Sequence, residues 1–89
     1  MNQVNAIKKE MYHEVISAWR GTAYAVEHTF SQPLPAADAE VVRNYIYEML
    51  KLGDPSTVWI SSFTDGEFAS VAFVFDEAAP LTVNIPLSA

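Results

Sequence analysis

The side chains able to do chemistry are His13 and His28, the carboxylates Asp54, Asp65, Glu67, Asp76 and Glu77, and the hydroxyls of Ser17, Ser31, Ser56, Ser61, Ser62 and Ser70. The chain has no cysteine, which excludes disulfides, thiolate metal sites and a cysteine nucleophile. The two histidines stand fifteen residues apart, matching neither the i, i+4 pair of a helical zinc site nor a finger spacing, so no metal is expected. Both read as solvent-facing imidazoles on the polar side of a first helix; only a homodimer would set His13 beside Glu10 or Glu14 of another chain. No serine sits in a G-x-S-x-G elbow. Gly21, Gly53 and Gly66 are too widely spaced to cradle a phosphate. Asp65 and Glu67 flank a hairpin glycine and Asp76-Glu77 lie in a connection, where turn chemistry accounts for them without acid–base catalysis. The expectation is a protein that is not an enzyme and has no catalytic, cofactor-binding or metal-binding residues.

Another chemistry remains, that of recognition. Trp59, Phe63 and Phe68 can gather on one side of a sheet near Asp65 and Glu67, with Asp76 and Glu77 in the next connection. Aromatic anchors inside a charged rim are where protein interfaces concentrate their binding energy. These seven residues form the expected partner-binding set. Two arrangements stay open: the aromatic face is exposed, or the first helix or the turn at Pro33 to Pro35 covers it.

Charge supports recognition of a basic partner. Of the chain's 89 residues, five are Lys or Arg and eleven Asp or Glu, giving a net charge of −6. No lysine or arginine follows Lys51, so Leu52 to Ala89 carries −5 and the first part only −1. Nucleic-acid phosphates would need clustered Lys and Arg, and only Lys8 and Lys9 are adjacent, so direct nucleic-acid binding is not expected. An acidic field draws in a basic protein and speeds the encounter. The chain shows no basic leader followed by an apolar run and no membrane-length segment, and is expected to reside in the cytoplasm.

Hydrophobic residues make up 51% of the chain and charged residues 18%, opposite to the composition of a disordered segment. So small a charged fraction leaves apolar surface for an oligomer or a partner. One domain spanning residues 1–89 is expected, with a helical part over about 3–52 and a β-meander over about 56–88.

The elements follow from periodicity. Val4, Ile7, Met11, Val15, Ala18, Trp19, Ala23, Val26 and Phe30 recur at spacings of three and four, predicting one long helix to Phe30 with Gly21 as a point of kinking. Pro33 and Pro35 end it. A second helix is expected from Pro35 or Ala36 to Gly53, burying Val42, Tyr45, Ile46, Met49 and Leu50 and turning Arg43, Tyr47 and Glu48 outward. Beyond Pro55 the period becomes two. Asp65-Gly66 predicts a two-residue hairpin loop with positive φ, setting Phe63 against Phe68 and Val58 against Phe73. A second connection sets Phe73 against Val83. Pro86 places the last strand at an edge. The expected fold is α+β: two N-terminal helices packed on a three-stranded antiparallel β-meander (ααβββ), in two layers. Val58, Ile60, Val71, Phe73, Phe75, Leu81, Val83, Ile85 and Leu87 should face the helices, with Trp59, Ser61, Phe63, Phe68, Ser70, Ala72, Val74, Thr82 and Asn84 behind.

Three functional readings follow. The first is a small acidic interaction domain that binds and occludes a larger basic protein, comparable in size and charge to inhibitors, immunity proteins and phage-encoded antagonists of host defence systems. The second is a homo-oligomeric structural or assembly subunit joined through its sheet edge or aromatic face, with a stable homodimer as its mark. The third is a small ligand-binding or enzymatic domain using Tyr12, His13, Arg20 and Tyr24.

Overall fold

The computed structural model describes residues 2–88. The first helix, α1 (Asn2–Arg20), presents Met11, Val15 and Trp19 at every fourth position and buries all three. It ends at Arg20, and Gly21 opens a turn in which the Thr22 N–H donates to the Trp19 carbonyl at 3.3 Å. The indole of Trp19 donates to the Ala79 carbonyl at 2.9 Å and lies against Phe75, ring centres 4.7 Å apart. These contacts fasten the end of α1 to Phe75 and to the segment after it that carries Ala79.

The long first helix is therefore not observed. Val26 to Thr29 form a strand, β1 (Val26–Thr29), so Ala23, Val26 and Phe30 leave the helical stripe and His28 lies on a strand. The spacing of these residues also fits alternation, since Val26, His28 and Phe30 share one side. β-branched Val26 and Thr29, following a helix-stopping glycine, favour the extended form.

The second helix, α2 (Ala36–Gly53), has the expected bounds, with Asp38 in its first turn and Lys51 in its last, each matched to the helix dipole. Pro35 precedes it, where the missing N–H costs no intrahelical bond. Ala39, Val42, Ile46 and Leu50 are buried. Tyr45 and Met49 are only half-buried, Tyr47 packs against the core beside Phe73, and Arg43, expected outside, is buried.

Three more strands complete the fold: β2 (Thr57–Thr64), β3 (Phe68–Phe75) and β4 (Leu81–Pro86). The sheet has four strands in the order β1-β4-β3-β2, with β1 parallel to β4 and the other neighbours antiparallel. It is thus a mixed sheet, and the expected three-stranded antiparallel meander is its β2-β3-β4 portion. The parallel pair needs a crossover, which α2 and the β2-β3 hairpin provide.

β4 lies inside the sheet, contrary to the edge position inferred from Pro86. On its β1 side the parallel ladder advances two residues at a time, from Val26 N–H to the Pro80 carbonyl and on to Phe30 N–H and the Asn84 carbonyl. The next N–H owed to β1 would come from residue 86, where proline has none to give. Pro86 therefore ends the β1 pairing and sits at the strand terminus. The chain rejoins at Leu34, whose N–H donates to the Pro86 carbonyl at 3.0 Å.

Both antiparallel registers are displaced by two residues from expectation. Phe63 lies opposite Ser70, Ile60 opposite Phe73, Val71 opposite Val83 and Phe73 opposite Leu81. A shift of two preserves the side on which each residue points, whereas a shift of one would reverse it. Thus Val71, Phe73, Phe75, Leu81, Val83 and Ile85 all face the helices and are buried. Val58 departs from this set because a bulge between Thr57 and Trp59 turns it out to solvent.

Phe73 is 1% exposed at the centre of the layer, between Tyr47 of α2 and Phe75. Replacing Phe73 by Ala should cost about 3–5 kcal/mol through lost burial and the cavity left behind. Urea denaturation would show this as a lower midpoint with an unchanged slope.

Candidate functional site

Because α1 and α2 both pack on one side, the other side of the sheet is open. Its exposed large apolar residues are Trp59 (53%), Phe63 (52%) and Val74 (36%) on β2 and β3, and Val58 (62%) is bare at the bulge beside Trp59. Of the two arrangements left open by the sequence, the structure shows the exposed one. Ser61 and Ala72 lie opposite each other between Trp59 and Phe63, so the aromatic rings stand either side of a low saddle. Trp59 and Phe63, four residues apart along β2, are separated by about 13 Å at the usual strand rise.

The expected partner-binding residues divide into two groups. Phe63, Asp65, Glu67 and Phe68 lie at the hairpin end of the sheet, and Phe68 is half-buried. Trp59 lies opposite Val74 near the other end, where Asp76 and Glu77 leave β3. The two acidic pairs are consequently a strand length apart, about 25 Å. They frame the apolar stripe from both ends.

The hairpin tip differs from expectation. The Asp65 N–H donates to the Phe68 carbonyl at 3.0 Å, so Gly66 and Glu67 form the loop, in place of Asp65 and Gly66. No glycine or other residue among those described has positive φ, because the Asp65 carboxylate organises the turn instead. Its Oδ1 accepts from the N–H groups of Glu67 and Phe68, each at 2.7 Å. These bonds, that from Phe68 being the stronger influence, hold the Asp65 carboxyl below its ordinary value of 3.8.

The other half of the open face is polar. Ser70 Oγ donates to Asn84 Oδ1 at 2.7 Å, and Asn84 Nδ2 donates to Glu27 Oε2 at 3.0 Å and Thr29 Oγ1 at 3.1 Å. Glu27 and Thr29 join this surface only because β1 is a strand, and assigning Val26 to Phe30 to a helix hid them. The alternation of Val26, His28 and Phe30 was the signal that could have found them.

Arg43 links the helical layer to this surface. At 8% exposure it reaches from α2 to the end of β2, where Nη1 donates to the Phe63 carbonyl at 2.9 Å and to Thr64 Oγ1 at 2.6 Å. Its Nη2 lies 3.9 Å from Glu40, and its Nε is buried without a partner. The guanidinium fixes the backbone immediately beneath the Phe63 ring.

The remaining reactive candidates are dispersed. His13 is exposed on α1, while His28 on β1 meets Glu14 Oε2 of α1 at 2.8 Å, a contact between the helix layer and the sheet. Tyr12 packs edge-on against Tyr45, Tyr24 lies past the end of α1, and Arg20 lines an open cleft of about 410 Å³ with Trp19, Asp54 and Glu77. No helix among the described residues is long and apolar enough to cross a membrane. No protein-family model matches the chain, and neither the curated proteins nor the solved structures yield a match. Fold and surface define a two-layer α+β domain with one open, half-apolar sheet face.

Two measurements check this geometry. Arg43→Ala removes the guanidinium hydrogen bonds to the Phe63 carbonyl and the Thr64 hydroxyl and should destabilise the fold by about 1–3 kcal/mol in urea unfolding. Asp65→Ala should lower the unfolding midpoint at neutral pH. The Asp65 carboxyl titrates lower in the folded chain than in the unfolded one, so its stabilisation is complete above the unfolded value of 3.8 and is lost as pH falls through the lowered folded value. The gap between wild type and variant should therefore close in acid below about pH 4.

Proposed function

We propose that the protein is a non-enzymatic interaction domain whose open sheet face docks on a larger basic protein and occludes part of its surface. The observation that carries this reading is the exposure of Trp59, Phe63 and Val74 on one face, with Val58 bare at the bulge beside Trp59. Monomeric proteins seldom leave such a cluster bare, and Trp is among the residue types enriched in binding anchors. Charge supplies the partner's chemistry. Asp65 and Glu67 at one end and Asp76 and Glu77 at the other set carboxylates around the apolar stripe, and Glu27 adds one on the polar half. A partner with an apolar centre flanked by Lys or Arg would meet both parts. An extended sheet surface bearing Trp59, Phe63 and Val74 offers area for contact with a protein partner, which suits an occluding action.

The test is capture from lysate of the source cells followed by affinity measurement on the captured partner. Trp59→Ala should cost about 2 kcal/mol or more, a loss of roughly thirtyfold in Kd. The double reversal Asp65→Lys with Glu67→Lys should slow association and flatten its dependence on salt. Exposed Lys9 on α1, changed to Glu, should leave binding intact. A captured partner indifferent to Trp59 and to both hairpin acids would refute docking through this face.

A further inference from the structure

β2 closes the sheet on one side. The Asp65 to Phe68 bond sets the alternation of its ladder, so the backbone groups of Trp59, Ser61 and Phe63 turn inward to β3 and those of Ile60, Ser62 and Thr64 turn outward. No strand among the described residues lies on that outward side. Exposed edges are ordinarily blunted by charge, proline, shortness or a bulge. Thr57–Thr64 has eight residues, none charged and none proline, and its one bulge, at Val58, leaves Ile60 to Thr64 regular.

The open-face side chains of this strand are arranged symmetrically about Ser61, with Trp59 two residues before it and Phe63 two after. We propose that the edge of β2 pairs antiparallel with β2 of a second copy about a two-fold axis at Ser61, joining two four-stranded sheets into one. In this register Ile60 exchanges backbone hydrogen bonds with Ser62 of the other copy, and Ser62 with Ile60. Trp59 lies opposite the second copy's Phe63 at a non-hydrogen-bonded position, where side chains approach most closely and aromatic pairs stabilise a sheet. Ser61 meets its own symmetry mate, small enough to fit.

Charge selects a second copy over a basic strand. A basic segment laid along Thr57–Thr64 would find no carboxylate within the strand to pair with, whereas a second β2 is neutral against neutral. The acids lie beyond the strand ends, and two chains of −6 repel at long range. Screening that repulsion should tighten the dimer, so added salt strengthens self-association while weakening the heterologous complex proposed above. The pairing does not depend on that complex, and the opposite salt responses separate the two.

The experiment is sedimentation equilibrium of the full chain over a concentration series at low and high salt. Wild type should form dimers that strengthen with salt. Ser62→Pro removes an outward N–H and leaves the inward ladder intact, a change an edge strand tolerates; it should be monomeric with an unchanged circular dichroism spectrum. Ser61→Lys and Ser61→Glu each place like charges face to face across the axis and should weaken the dimer about two- to fivefold. Their equimolar mixture should recover or exceed the wild-type dimer, a result that holds even if the proline variant folds poorly. A wild type that stays monomeric at every concentration and salt, a dimer unaffected by Ser62→Pro, a mixture no tighter than either charged variant alone, or growth beyond the dimer would each overturn the proposal.

Discussion

The strict alternation of β3 and β4 governs the rest of the structure. Ala69, Val71, Phe73 and Phe75 on one strand, with Leu81, Val83 and Ile85 on the next, place seven buried apolar side chains on a single side. That side must be covered, and the described residues offer two helices with which to cover it. Met11, Val15 and Trp19 of α1 and Ala39, Val42, Ile46 and Leu50 of α2 meet it in one continuous core. With both helices committed to one layer, the reverse side has no cover. The open face is thus a consequence of core patterning in a short chain.

Those parts of the fold that depend on side-chain parity were legible in the sequence. The helix-facing and outward-facing sets on β3 and β4 emerged correctly although both registers were displaced by two residues, since an even displacement leaves parity untouched. Register itself was not legible, because Asp65-Gly66 suggested a loop with positive φ and the aspartate carboxylate offered a competing turn that needs none. β1 was concealed for a different reason. Val26 and Phe30 are four apart, which satisfies a helix, and His28 between them completes an alternation, which satisfies a strand. The choice is made by pairing with β4, more than fifty residues later in the chain. Pro86 misled in the same way, since its missing N–H ends one pairing of an interior strand and reads in isolation as the mark of an edge. At the candidate site, the aromatic stripe could be read from alternation, while the polar half needed β1.

Arg43 shows why charge alone is a poor guide to exposure. Helix periodicity grouped it with Tyr47 and Glu48 on an outward face, and its long stem instead carries the guanidinium to the end of β2. Two hydrogen bonds to Phe63 and Thr64 offset part of the desolvation, but the 3.9 Å separation from Glu40 makes a weak ion pair and Nε stays unpartnered. An apolar residue of similar size would fill the space without this cost. What Arg43 supplies is position: it ties α2 to the strand bearing the exposed rings, so the outermost strand is held from the helical side near its hairpin end.

The sheet's two edges are treated differently. β1 is four residues long, carries Glu27, and is backed by α1 through the His28–Glu14 contact. β2 is twice as long, uncharged throughout, and exposes Val58, Trp59 and Phe63. The chain has eleven acidic residues to distribute, and five of them lie within the 38 residues that contain β2, yet none falls inside that strand. Asp54 and Asp65 stand just outside its two ends. A single carboxylate at Ser61 or Ser62 would have blunted the edge at no expense to the core, since neither side chain belongs to it. The face and the edge of β2 share one strand, one neutral composition and one clamp at Arg43, and together they leave this strand without the charge that β1 carries at the opposite edge.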